Sequence, residues 1–201
     1  MAAVRMGYED CCTTPARREI ASKMQTSDDA SFQDAVQGLR QGDFTRLAHV
    51  FQADLSAQAR QPRIIKWYEE GRFDGEPEVL REALTCACFL GQIDVAEYLL
   101  KRGVDSSGGS GTGLNAFHWA VNRGQLEAVR LLLKWKAPLE ARSMYGGNVL
   151  DTAIWSAINE PRLGQREIVE ELLKAGARLD DEKSPTGNEE LDAILRRHAA
   201  I

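Results

Sequence analysis

The sequence predicts an all-α solenoid of about four helix-turn-helix units with a C-terminal capping helix, because related residues recur every 33 positions. Gly91 and Gly124 are 33 residues apart, and the leucine pairs at 99–100 and 132–133 have the same separation. Three residues at the start of successive units also keep this spacing: Glu82, Asn115 and Asn148. A constant period of this length is the signature of a repeat architecture, in which each unit packs on its neighbours.

The central unit, residues 113–137, gives the physical reason for the pattern. Asn115 suits the N-cap of a first helix, and Gly124 permits a tight reversal into a second helix. Apolar residues follow helical spacing in both helices: Phe117, Ala120 and Val121 in the first, and Leu126, Val129, Leu132 and Leu133 in the second. Since neither helix can bury its apolar stripe alone, we expect the units to stack side by side.

The N-terminal third departs from the regular period. We expect a polar arm over residues 1–30, partly helical between 16 and 25, followed by one repeat domain over 31–201. Ser27, Asp28 and Asp29 precede the first apolar periodicity and suit the cap of a helix over about 31–40.

The first unit, residues 31–54, is degenerate, with Gly42 in its turn and Val50-Phe51 in place of the leucine pair. The interval between Gly42 and Gly91 is sixteen residues longer than one period. We expect these extra residues to form a helix over about 62–70 that packs on the stack.

The remaining units follow in order over residues 78–110, 111–143 and 144–180. The Gly-rich link at 106–113 fits a flexible hairpin better than a phosphate-binding loop, because it lacks both the P-loop spacing and its Lys. Seven extra residues in the last unit, with Pro161 and Gly164 among them, predict an enlarged turn over 157–165. A capping helix is expected over 188–198, since a terminal repeat needs a polar outer face.

Composition limits the functions that are open to the chain. It has 201 residues, 43% hydrophobic and 27% charged, which suits one elongated soluble domain. With a formal charge of −5, the chain lacks the basic surface that is usual for nucleic-acid binding. No apolar run is long enough for a membrane helix. We therefore expect an intracellular protein, cytoplasmic or nuclear and not secreted, with neither a nucleic-acid nor a membrane partner.

The four cysteines predict neither a disulfide nor a metal site. Cys11 and Cys12 are adjacent, and Cys86 and Cys88 are two residues apart on a predicted helix, where their side chains point in different directions. We expect no cofactor and no bound metal.

The units resemble ankyrin repeats from about residue 31 to residue 195, in their period, turn glycines and leucine pairs. The family tetrapeptide Thr-Pro-Leu-His is poorly kept, and stands as Glu-Ala-Leu-Thr at 82–85, Asn-Ala-Phe-His at 115–118 and Asn-Val-Leu-Asp at 148–151. The resemblance implies a curved stack whose concave side, made of hairpin tips and first-helix surfaces, binds other proteins. It therefore implies a non-catalytic protein-interaction module, an adaptor or scaffold, whose partner is a protein or peptide.

The family's partner-facing positions, together with neighbouring residues of the same surface, give the candidate binding residues. They are Phe89, Leu90, Thr112, Leu114, His118, Trp119, Asn122, Arg123, Met144, Tyr145, Asp151 and Trp155. Several are large and apolar, as expected of binding hot spots. The alternative is that the N-terminal arm, the helix at 62–70 or the turn at 157–165 already covers the aromatic rings.

Two other functions remain open at this point. Trp119, Trp155, Phe89 and Tyr145 could enclose a small apolar molecule in the concave groove. A second possibility comes from Thr85, His118 and Asp151, each 33 residues after the one before, so that stacking should place them in a row. A hydroxyl, an imidazole and a carboxylate in this order resemble a nucleophile, a base and an orienting group. The resemblance implies instead that this position is structural, so we expect no enzyme.

Overall fold

A computed structural model describes residues 15–53, 61–108, 113–178 and 186–199. Within these ranges there are ten α-helices and no β-strand. They are α1 (Pro15–Gln41), α2 (Ala48–Phe51), α3 (Arg63–Glu69), α4 (Pro77–Leu90), α5 (Ile93–Lys101), α6 (Ala116–Asn122), α7 (Leu126–Lys134), α8 (Val149–Asn159), α9 (Gln165–Lys174) and α10 (Glu189–Ala199). A short 3-10 helix, Thr45–Leu47, precedes α2.

The helices stack in two rows. In one row α1 contacts α4, α4 contacts α6 and α6 contacts α8, while in the other α5 contacts α7, α7 contacts α9 and α9 contacts α10. The antiparallel pairs α4–α5, α6–α7 and α8–α9 are the second, third and fourth repeats, and each pair packs on its neighbours. The fold is therefore an all-α solenoid, as the 33-residue period predicts.

Equivalent positions of the second-row helices form the core of the stack. Val95, Ala128 and Ile168 are buried, and so are Leu99, Leu132 and Leu172 four residues further on. Because a helix places positions i and i+4 on one face, each helix presents an apolar stripe to the next repeat. Side chains also tie the repeats together: Gln125 Nε2 donates to the Phe89 carbonyl at 3.3 Å, and Gln165 Nε2 to that of Val121 at 3.0 Å.

The first helix is longer than the sequence indicates. α1 is continuous from Pro15, so Ser27, Asp28 and Asp29 lie inside it and do not cap a helix that begins near residue 31. Asp28 and Asp29 instead accept hydrogen bonds from the Arg72 guanidinium, at 2.8 and 2.7 Å. These contacts join the N-terminal helix to the segment after α3, and no sequence spacing reveals them.

The two insertions also take definite forms. α3 occupies residues 63–69, where a further helix was predicted, and buries Ile64, Ile65 and Trp67. In the fourth repeat α8 continues to Asn159, so the first residues of the predicted 157–165 turn are helical and only 160–164 form a loop. The arm before residue 15, with Cys11 and Cys12, and the hairpin residues 109–112 lie outside the described part of the chain.

Helices α5, α7 and α9 end in the same backbone turn. The residues at positions 103, 136 and 176 adopt positive φ, and each donates its backbone N–H three residues back, to Leu100, Leu133 and Leu173. The next residue donates to the carbonyl five positions back, which completes a Schellman cap. Gly103 and Gly176 suit this left-handed conformation, whereas Lys136 adopts it at φ 55° with a side chain that makes it unfavourable.

We expect Lys136→Gly to stabilise the protein by about 0.5–1 kcal/mol, since glycine adopts the left-handed region at little steric cost. Urea unfolding followed by circular dichroism measures this change. Gly103→Ala is the matched control: a Cβ there would meet nothing within 4 Å, so conformation alone should cost about 1 kcal/mol. A less stable Lys136→Gly variant would contradict the assignment.

Candidate functional site

A groove of about 990 Å³ lies between α6 and α8 and is the candidate functional site. Leu114 lies at one edge, and Trp119, Asn122 and Arg123 line it from the α6 side. The hairpin before α8 contributes Ser143, Tyr145 and Gly147, and Thr186, which precedes α10, also lines the groove. α8 and the residue after it contribute the largest set: Asp151, Thr152, Ile154, Trp155, Ile158, Asn159 and Glu160.

Asparagine caps set where the two wall helices begin. Asn115 Oδ1 accepts the backbone N–H groups of Phe117 and His118, each at 3.0 Å. Asn148 caps α8 in a reciprocal capping box: its Oδ1 accepts from the Asp151 N–H, and Asp151 Oδ2 accepts from the Asn148 N–H, both at 2.9 Å. Because both helices start at equivalent positions, their groove-facing residues are in register.

The α8 wall presents large apolar side chains to solvent. Trp155 is 50% exposed and Ile158 is 41% exposed. They are three residues apart on one helix, so they share a face. Tyr145, on the hairpin that precedes α8, is 79% exposed. The extra helical turn of α8 supplies Ile158, which the sequence analysis missed because Pro161 and Gly164 suggested a turn that began earlier.

The loop 160–164 closes against the end of α6 and leaves the groove open. Arg162 Nε donates to the Asn122 carbonyl at 3.1 Å, and Arg162 Nη2 pairs with Glu160 at 2.8 Å. A Cβ on Gly124 would lie 3.1 Å from the Arg162 Cβ, so the loop and the turn of the third repeat are in close contact. Asn122 Nδ2 also donates to Ser156 Oγ at 3.2 Å, which ties the two walls together.

Phe89 lies beside the groove in an aromatic cluster that consists of Phe44, Phe89 and Trp119. The ring centroids of Phe89 are 5.5 Å from Phe44 and 5.2 Å from Trp119, both edge to face. The Arg123 guanidinium lies over the Phe89 ring, 4.6 Å from its centroid. Phe89 is therefore half-buried, in contact with Phe44 of the first repeat and with Trp119 and Arg123 of the third. None of the three segments considered from the sequence supplies these ring contacts.

The structure brings seven of the twelve candidate residues together in the groove: Leu114, Trp119, Asn122, Arg123, Tyr145, Asp151 and Trp155. Phe89 and Leu90 are half-buried against the core, and His118 is 1% exposed. Met144 is exposed on the hairpin without lining the groove. Thr112 lies outside the described residues.

The row of Thr85, His118 and Asp151 makes hydrogen bonds within the individual repeats. Thr85 Oγ1 donates to the Arg81 carbonyl at 3.0 Å, and Asp151 Oδ2 belongs to the capping box. His118 Nδ1 is 2.8 Å from Asn115 Oδ1, which can only accept, so Nδ1 carries the proton. Burial lowers the pKa of His118, and hydrogen bonding with the backbone at Ala141 and Gly147 raises it by less. The imidazole is therefore neutral at pH 7.

Glu82 holds the position that asparagine occupies in the third and fourth repeats. Because α4 begins at Pro77, Glu82 lies inside that helix and cannot serve as its cap. It is buried, and its Oε2 has no hydrogen-bond partner in the described part of the chain. Burial, with a smaller contribution from Glu78, raises the pKa of Glu82 to about 7.

The described residues contain no group of three His, Cys, Asp or Glu side chains placed to hold a metal ion. None of their helices is long and apolar enough to cross a membrane.

We expect Phe89→Ala to lower the free energy of unfolding by about 2–3 kcal/mol, because the substitution opens the aromatic cluster. Trp155→Ala should change it by less than about 0.5 kcal/mol, because half of that side chain already faces solvent. Urea unfolding of both variants tests the contrast. Equal losses would mean that Trp155 is packed as tightly as Phe89.

Glu82→Gln should stabilise the protein increasingly as pH rises. The folded-state pKa of about 7 lies above the ordinary 4.5, so protonated Glu82 favours folding and this stability is lost as pH rises through 7. We expect the difference between variant and wild type to grow by about 3 kcal/mol from pH 4.5 to pH 8. Urea unfolding across this range measures it, with Glu127→Gln as the exposed control. A pH-independent difference would contradict the burial of the charge.

Comparison with known proteins agrees with this geometry. Residues 105–183 match the family model described as ankyrin repeats, 3 copies. None of the curated proteins matches the chain. Ankyrin repeats are generally protein-protein interaction modules, they typically bind protein partners, and the family is typically non-enzymatic. With its rows of paired helices and this match, the chain is an all-α repeat solenoid whose residues 105–183 contain ankyrin repeats.

Proposed function

We propose that this chain is a non-catalytic interaction module that binds a polypeptide partner in the groove between α6 and α8. The observation that carries the proposal is the exposure of Trp155, Ile158 and Tyr145 within a groove of about 990 Å³. Large apolar side chains that share a concave surface recover free energy when a partner covers them, at roughly 25 cal/mol per Å² of apolar area. Aromatic residues beside an arginine are also a frequent composition of binding hot spots.

The walls of the groove support this proposal through their rigidity. The asparagine caps fix where α6 and α8 begin, the Asn122–Ser156 hydrogen bond joins the two helices, and Arg162 joins the loop to the end of α6. A preformed surface loses less conformational entropy when it binds than a mobile one. Catalysis has less support, since Thr85, His118 and Asp151 are engaged in hydrogen bonds within the individual repeats.

A second candidate function is the binding of a small apolar molecule, and the size of the groove favours it. Ligand sites commonly have volumes of about 300–1,000 Å³ and apolar linings with a few polar groups. The groove has this range of volume and this mixture of residues. Native mass spectrometry of the purified protein distinguishes the two functions, because a bound small molecule adds a discrete mass to the chain.

We expect a photo-crosslinking amino acid at position 155 to capture a polypeptide from a cell lysate. The same amino acid at position 135 is the matched control, since Trp135 is exposed but does not line the groove. Mass spectrometry identifies the captured species. Equal capture at both positions, or only a small-molecule adduct at position 155, would contradict a polypeptide-binding groove.

A further inference from the structure

Arg123 gives the groove a positive charge that no described carboxylate neutralises. It follows α6 directly, and its guanidinium lies over the Phe89 ring, 4.6 Å from the centroid. Within the described ranges, no Asp or Glu forms a salt bridge with it, although many surface arginines of the chain have such partners. Stacking on an aromatic face leaves the edge of a guanidinium, with its N–H groups, available to a carboxylate.

The two carboxylates that line the groove have other roles. Asp151 accepts the Asn148 N–H in the capping box of α8, at 2.9 Å. Glu160 pairs with Arg162, 2.8 Å away, in the loop that closes against α6. Asp151 is thus engaged at the N-terminus of α8 and Glu160 with Arg162, whereas Arg123 is the charged side chain of the lining that has no described ion-pair partner.

The apolar surface lies in the same groove as Arg123, on the opposite wall. Trp155 and Ile158 project from one face of α8, and Tyr145 lies on the preceding hairpin. An occupant that complements both walls therefore carries a negative group for Arg123 and a large apolar group for Trp155 and Ile158.

We propose that the groove selects an acidic polypeptide segment, in which one carboxylate pairs with Arg123 and a nearby aromatic or aliphatic side chain packs on Trp155 and Ile158. This inference rests on the proposed polypeptide-binding function and specifies the chemistry of the partner. A basic segment would place its charge beside Arg123, while Asp151 and Glu160 are already engaged within the chain. A nucleic acid is disfavoured because its many phosphates would meet a single arginine without an ion-pair partner, on a chain with a net charge of −5.

Selection from a phage-displayed library of random 12-residue peptides, with the full chain as bait, tests the proposal. We expect the recovered peptides to be enriched in Asp or Glu within about four residues of Trp, Phe, Leu or Ile, relative to the unselected library. Dissociation constants of the recovered peptides are then measured by fluorescence anisotropy against wild type and variants. Arg123→Met should weaken binding about tenfold, since a hydrogen-bonded charge pair is lost. Selection with Arg123→Glu as bait should recover basic peptides instead.

Methionine at position 123 keeps an apolar stem over Phe89 while it removes the charge, and urea unfolding verifies that the variant remains folded. Trp155→Ala should also weaken binding, whereas Trp135→Ala, outside the groove, should not. Peptides that depend on Trp155 but show no acidic enrichment and no response to Arg123→Met would overturn the acidic partner and leave the proposed function standing. Failure to recover any peptide that depends on Trp155 would contradict both.

Discussion

Contact between neighbouring repeats is the constraint on which the rest of this structure depends. Helices α5, α7 and α9 have nine or ten residues, which is too short to be stable in isolation, and each buries its apolar stripe against helices of the adjacent repeats. Val95, Ala128 and Ile168 repeat the same buried contact along the stack. Since stability comes from these interfaces, surfaces outside them can vary without loss of the fold.

The groove arises where the fourth repeat departs from the regular pattern. α8 has eleven residues where α6 has seven, and the additional turn carries Ile158 beyond Trp155. The loop that follows is anchored to the Asn122 carbonyl through Arg162 and so lies beside the groove. On the other side, Phe44 and Phe89 support Trp119, so the aromatic cluster forms a firm edge to the α6 wall.

Local patterns predicted most of the repeat architecture and about half of the candidate site. The period, the asparagine caps at positions 115 and 148 and the leucine pairs depend on neighbouring residues, so the sequence reveals them directly. The features that were missed depend on tertiary contact. Asp28 and Asp29 of α1 pair with Arg72, which is more than forty residues further along the chain. Glu82 is buried because α4 begins early, at Pro77. Ile158 was missed because Pro161 and Gly164 mark a turn without revealing how far the preceding helix extends.

Labelling of the four tryptophans with 5-fluorotryptophan tests the open groove most directly, by ¹⁹F NMR with a soluble paramagnetic gadolinium chelate. Trp155 and Trp135 are exposed, whereas Trp67 is fully buried, so the free protein should show strong broadening at the first two and little at the third. Addition of a captured polypeptide should protect Trp155 and leave Trp135 broadened. If Trp155 were already protected in the free protein, or if the polypeptide protected Trp135 instead, the groove would not be the binding surface.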